Sequence, residues 1–185
     1  MALSGESRKG QVWVGDLTIS IVLFTAAAVL AFAIVMNSFS LGNDYSRLKA
    51  DASRVGEYLL SEGTPPDWNE STVIRPGVLT GSRLNDSKLA LAMAFSNSSY
   101  QSAKSRFQTN YDFMVVFQEA NDTILPFGGL CSLGKPDTGI DYALNGSISC
   151  LSINLTGVSY QNLVRINRFV VYDSRIVKAT VYMWN

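Results

Sequence analysis

The sequence predicts an α+β protein. A long N-terminal hydrophobic helix, made of a membrane span and an amphipathic stem, leads into a small β-rich globular head with an antiparallel sheet and one or two short helices. Three patterns carry this reading. Residues 17–37 hold no charge. Leu41, Tyr45, Leu48, Ala52, Val55 and Leu59 recur at spacings of three and four, which is one stripe of a helix. Tyr111, Phe113, Val115 and Phe117 then alternate with Asp112, Met114, Val116 and Gln118, the period of a half-buried strand.

Composition narrows the function before any motif is read. Once a membrane helix is set aside, the 185 residues leave enough chain for one globular domain. Lys and Arg number 15, as do Asp and Glu, so no positive surplus exists to attract phosphate backbones and nucleic acid is not expected as a partner. Charged residues make up 16 %, against roughly 25 % in ordinary soluble domains. That deficit points to a membrane or to self-assembly.

There is no histidine, so a Ser-His-Asp triad or a Cys-His pair cannot be built. Two cysteines alone do not complete a zinc site. No phosphate-cradling glycine loop is present, and Gly128 and Gly129 before Cys131 read as a turn. The expectation is a non-enzyme without cofactor or metal. Asp137 and Asp141 suit calcium only if a loop brings them together, and carboxylates so placed are more often solvated. Trp68 and Trp184 suit either sugar stacking or packing, and packing is favoured.

The charge-free run LTISIVLFTAAAVLAFAIVMN matches the roughly 20 residues that a helix needs to cross a hydrocarbon core. Burying its large apolar side chains at about 2 kcal/mol each is worth roughly 24 kcal/mol. The run is apolar on every face, so it belongs in lipid or among copies of itself rather than flat on a surface. Arg8 and Lys9 before it are balanced by Arg47 and Lys49 after it, so the positive-inside rule does not set its direction.

The downstream chain supplies a direction. Asn69, Asn85, Asn97, Asn121, Asn145 and Asn154 each begin an Asn-x-Ser/Thr acceptor for N-glycosylation, and all follow the span. They are half of the twelve asparagines, where a random Ser/Thr frequency of roughly 13 % would place about one or two. A chance excess in a Ser-rich chain is the competing explanation. Cys131 and Cys150 form one disulfide if the compartment is oxidising, and are free buried thiols otherwise. Together these residues place 38–185 outside the cytoplasm.

Before the span, Arg8, Lys9, Gly10 and Gln11 resemble the leader and cleavage junction of archaeal class III signal peptides. In that family a prepilin peptidase cuts on the cytoplasmic side after the Gly, and the apolar helix stays with the mature chain. An ordinary secretory leader has its small-residue site after the apolar run, whereas here such sites lie inside it. The segments TPPDWNESTVIRPGVL, GSRLNDSKL, YDFMVVF and RFVVYDSRIVKATVYMW extend the resemblance to archaeal type IV pilin-like proteins over most of the chain. The resemblance implies a helical stalk, a β-rich head, and filament formation or surface display. Its implied partners are membrane lipid, the prepilin peptidase, and copies of itself or other pilins.

The family also places an acidic residue near the start of the mature helix, one position before Asp16 if Gln11 is the first mature residue. Asp16 at the positive end of a helix could pair with the freed amine of a neighbouring subunit, or simply cap the helix. The expected organisation is a cytoplasmic leader over 1–10, span and stem over 11–62, and an extracytoplasmic head over 63–185.

The remaining elements follow in order. A helix from about Val12 to Leu60 is roughly 74 Å long at 1.5 Å per residue, with Gly42 loosening it and Gly63, Pro65 and Pro66 ending it. The stem stripe packs on the head or serves as a contact for other subunits. Thr72 to Ile74 reads as a short strand. Asn85 or Asp86 caps a helix through Phe95, and a second short helix lies near Ser98 to Phe107. Leu151, Ile153 and Leu155 face a core with Asn154 turned away. Val164 to Tyr172 and Arg175 to Trp184 form a terminal hairpin around Asp173 and Ser174.

Two functions fit the whole pattern: a structural subunit of, or accessory to, a type IV pilus-like filament, or a non-polymerising anchored ectodomain that binds an extracellular partner.

Overall fold

The computed structural model describes residues 7–135, 140–144 and 148–185, with side chains described for 13–36, 44–135 and 150–185. It divides into two compact units, Met1–Asp44 and Tyr45–Asn185. Helix α1, Ser7–Leu59, contributes to both. It continues through Gly42, where a glycine costs only about 1 kcal/mol relative to alanine.

In the first unit, every residue from Trp13 to Met36 is exposed, and this stretch is long and apolar enough to cross a membrane. Two of its polar side chains are satisfied within the helix. Thr18 Oγ1 donates to the Val14 carbonyl at 2.7 Å and Thr25 Oγ1 to the Ile21 carbonyl at 2.9 Å, so both hydroxyls are satisfied inside the helix.

The second unit starts inside the predicted stem. Leu48, Ala52, Val55 and Leu59 are fully buried in the head's core, so this part of the stripe packs on the head, whereas Tyr45 is 49 % exposed and the Leu41 side chain lies outside the described residues. Beyond Leu59 the chain turns back along the helix end. The Leu59 carbonyl accepts from Val78 N–H and the Ser61 carbonyl from Leu79 N–H, both at 2.9 Å, which satisfies groups that a helix terminus leaves open. Trp68 closes this wrap by donating Nε1–H to the Gly77 carbonyl at 2.8 Å. Gly77 has to be glycine, because a Cβ there would lie 2.3 Å from the Gly63 nitrogen. Trp68 and Trp184, at 3 % and 2 % exposure, are packing residues.

The sheet holds β1 (Leu79–Thr80), β2 (Arg83–Leu84), β3 (Asp112–Gln118), β4 (Leu133–Gly134), β7 (Leu163–Tyr172) and β8 (Arg175–Trp184) in the order β1-β2-β7-β8-β3-β4. A separate hairpin pairs β5 (Ile140–Leu144) with β6 (Ile148–Ile153). The pairings are antiparallel except that β2 meets β7 in parallel at Arg83 and Val171, which makes the six-stranded sheet mixed. Helices α2 (Asp86–Ser98) and α3 (Tyr100–Arg106) appear where the two short helices were expected. Asn85 caps α2, its Oδ1 accepting from Lys88 N–H at 3.0 Å.

Three local expectations are corrected. Thr72–Ile74 is not a strand: the Thr72 and Val73 N–H groups both donate to the Asn69 carbonyl, and Ile74 N–H donates to the Thr64 carbonyl. Strand β3 is buried on both faces rather than one. Phe113, Val115 and Phe117 enter the main core, while Met114 and Val116 join Tyr182 and Trp184 beneath Ile153, Leu155, Val158 and Leu163. Leu151 is 60 % exposed and outside the core, whereas Ile153 and Leu155 are half-buried and Asn154 is exposed as expected.

The terminal hairpin forms as read. Asp173 and Ser174 both take positive φ, 44° and 63°, the turn geometry whose twist matches paired strands.

Because the end of α1 belongs to the head, a fragment of residues 45–185 is expected to fold, with a single cooperative thermal transition. A fragment of 64–185 loses Leu48, Val55 and Leu59, at about 2 kcal/mol each, a large share of a typical 5–15 kcal/mol. Circular dichroism melting of the second fragment should show no cooperative transition.

Candidate functional site

The features that bear on function are the apolar run of α1, the residues around it, and the surface of the head. The backbone of Arg8, Lys9, Gly10 and Gln11 lies in α1, and their side chains are outside the described residues. Asp16 is exposed nine residues after the first residue of α1, so it does not cap this helix. Among the described residues it makes no salt bridge.

Cys131 and Cys150 form a disulfide, with Cα atoms 5.6 Å apart. It ties the segment before β4 to strand β6, and both cysteines are buried beside Ile124 and Ile153. A cross-link closing a loop of 19 residues removes about 3 kcal/mol of unfolded-chain entropy. The double substitution Cys131→Ser and Cys150→Ser is therefore expected to lower stability by about 3 kcal/mol in denaturant titration. Adding reductant to the native protein should reproduce the loss.

Of the acceptor asparagines, Asn69, Asn97, Asn121 and Asn154 are exposed and Asn85 is half-buried. Asn145 and Asp137 lie outside the described residues, as does the side chain of Asp141. Among the described residues no group of three or more metal-ligating side chains occurs.

A polar cluster that no sequence pattern singled out joins α3 to the sheet. The Asp112 carboxylate at the start of β3 receives Lys135 Nζ at 2.6 Å, Lys104 Nζ at 3.0 Å and the Tyr100 hydroxyl at 3.1 Å. The same hydroxyl accepts Phe113 N–H at 3.0 Å. Burial pushes the Asp112 carboxyl up, but Lys135 and Lys104 together outweigh it and hold it below its usual value. Burial, aided by Asp112, pushes the Tyr100 phenol up, so it remains a neutral donor. Both ammonium groups are engaged by the carboxylate, so the cluster acts as a clasp. The spacings 100, 104 and 112 carried no signal because Lys135 arrives from the position just after β4.

Asp112 has a depressed folded-state value, so its contribution is present above the unfolded carboxyl value of about 3.9 and is lost as pH falls through the folded value. Asp112→Asn is expected to cost about 1 kcal/mol at pH 7, after allowing for solvent screening. Denaturant melts at a series of pH values should show the gap to wild type closing below about pH 3.9.

Elsewhere on the head, Phe169 (70 % exposed) and Ile176 (68 %) stand in the open with Val171 beside them. They line an apolar groove with Leu60 and Leu79 at the β1-β2-β7 edge. No protein-family model, curated protein or solved structure matches the chain.

Proposed function

We propose that the chain is a structural subunit of, or an accessory to, an archaeal type IV pilus-like surface filament, with its N-terminal helix as both membrane anchor and assembly element. The observation that carries this reading is α1 itself. One helix presents an apolar, wholly exposed run at Trp13–Met36 and ends as a core element of a folded head. Such a run needs lipid before assembly and other helices after it. Ala27 and Ala31, four apart on α1, permit close helix approach.

In this reading residues 1–10 are a cytoplasmic leader that a prepilin-type peptidase removes between Gly10 and Gln11. The carboxylate of Asp16 sits at the edge of the apolar run, where an unpaired charge is costly, and the new Gln11 amine of a neighbouring copy would compensate it. Residues 63–185 face the exterior. Six acceptor asparagines after the span and the Cys131–Cys150 disulfide support that orientation, since disulfides persist in oxidising compartments. The chain is then a single-span protein of the cell membrane that passes into an extracellular filament, with lipid and other pilins as its partners.

N-terminal sequencing of the native surface protein should begin at Gln11, and an intact Met1 in surface material removes the proposal. Asp16→Ala should leave the chain in the membrane while reducing the material released by shearing about tenfold, the equivalent of 1.4 kcal/mol.

The apolar groove around Phe169 and Ile176 favours a second reading, an anchored ectodomain that binds an extracellular partner and never polymerises. Finding all of the protein in membranes and none in sheared filaments selects it.

A further inference from the structure

The acceptor tripeptides look alike in sequence, yet the fold presents their asparagines differently. At Asn69, Oδ1 accepts from Ser71 N–H at 2.9 Å, Ser71 Oγ–H at 2.7 Å and Thr72 N–H at 3.1 Å. Its Nδ2 makes no hydrogen bond among the described residues, and the side chain is exposed. At Asn154 the pairing of Oδ1 with the residue two positions on recurs, Oδ1 accepting from Thr156 N–H at 3.1 Å and Thr156 Oγ1–H at 2.5 Å on an exposed side chain. In both, the carboxamide and the hydroxyl two residues later sit together. An acceptor is defined by needing both groups, so an enzyme that reads them meets both at one place.

Asn85 is held differently. Its Oδ1 caps α2 through Lys88 N–H, and its Nδ2 donates to Thr80 Oγ1 at 3.1 Å. The side chain is half-buried, and the hydroxyl of Ser87 is not on its carboxamide. Attaching a sugar to Nδ2 would replace one amide hydrogen with a bulky group beside β1 and strain the cap of α2.

We propose that Asn69 and Asn154 carry N-linked glycans and that Asn85 stays unmodified, because transfer acts on the folded head. The donor class is a sugar activated on a lipid-linked phosphate, used by a membrane transferase. The Asn Nδ2 forms a bond to the anomeric carbon while that carbon's bond to the phosphate oxygen breaks. The phosphate leaves with the electron pair, and one Nδ2 proton passes to a base of the transferase. The inference rests on the exterior orientation proposed above.

The test uses full-length protein purified from membranes of cells that make it, digested and analysed by mass spectrometry. Peptides containing Asn69 and Asn154 should carry a glycan mass and the peptide containing Asn85 should be bare. Ser71→Ala and Thr156→Ala, which keep the asparagines, should each remove one glycan. Asn85→Gln should leave the glycan mass unchanged and lower Tm by about 4 °C through loss of the cap. A glycan on Asn85, or bare Asn69 and Asn154, overturns the inference. Protease added to intact cells separates this failure from that of the orientation. If the head is shaved while its peptides are bare, the glycan assignment alone is wrong. If the head is cut only after lysis, the exterior reading falls, and the inference with it.

Discussion

The head depends on a helix end that it shares with the apolar run. Leu48, Ala52, Val55 and Leu59 enter one core with Val164, Val170, Val177, Ala179, Val181 and Met183 of the two longest strands. Without those turns one face of the sheet would meet water, and an amphipathic sheet is stable only when that face is covered. Gly56 faces Arg168 Cγ and Val181 Cγ2 across this seam. Arg168 then reaches Ser53 Oγ at 2.8 Å and lies near Glu57, adding polar contacts along the same seam. The amphipathic stripe and the uniformly apolar run are therefore two uses of one helix.

Around that seam, each remaining layer is held by a contact between distant parts of the chain. The Asp112 clasp fixes α3 and β4 to the start of β3. Gly134 N–H reaches the buried Ser96 hydroxyl of α2 at 3.1 Å, so the short β4 is anchored to a helix as well as to its neighbour strand. The disulfide ties the β5-β6 hairpin to the segment before β4. The Trp68 wrap seals the end of α1. Arg175 reaches Glu119 at 2.7 Å and Lys178 pairs with Asp122, yet such exposed pairs contribute little.

Much of this was legible because its cause is local. A charge-free run, a spacing of threes and fours, an Asn before a helical stretch and two branched, aromatic segments around Asp173 and Ser174 each report on a few neighbouring residues. What could not be read is set by pairs far apart in sequence. The parallel contact between Arg83 and Val171 has no local signature. Strand β3 reads as half-buried because its polar residues fall at its ends, and nothing nearby shows that Leu155 to Leu163 covers its second face. Leu151 matches its alternation, but β6 belongs to a separate hairpin and not to the main sheet. The acceptor asparagines were visible as tripeptides, while the difference between Asn69 and Asn85 arises from Thr80 and the helix cap.

The position of β8 has a consequence for synthesis. Arg175–Trp184 lies between β7 and β3 and pairs with both, so the sheet has no centre until that segment exists. A chain made in sequence order carries α1, both short helices and β3 for some time with their apolar faces uncovered. Late, long-range closure of this kind is slow and leaves unfinished chains prone to stick to one another. An apolar N-terminal segment already lodged in a bilayer would hold such chains apart in a plane until the last strand arrives.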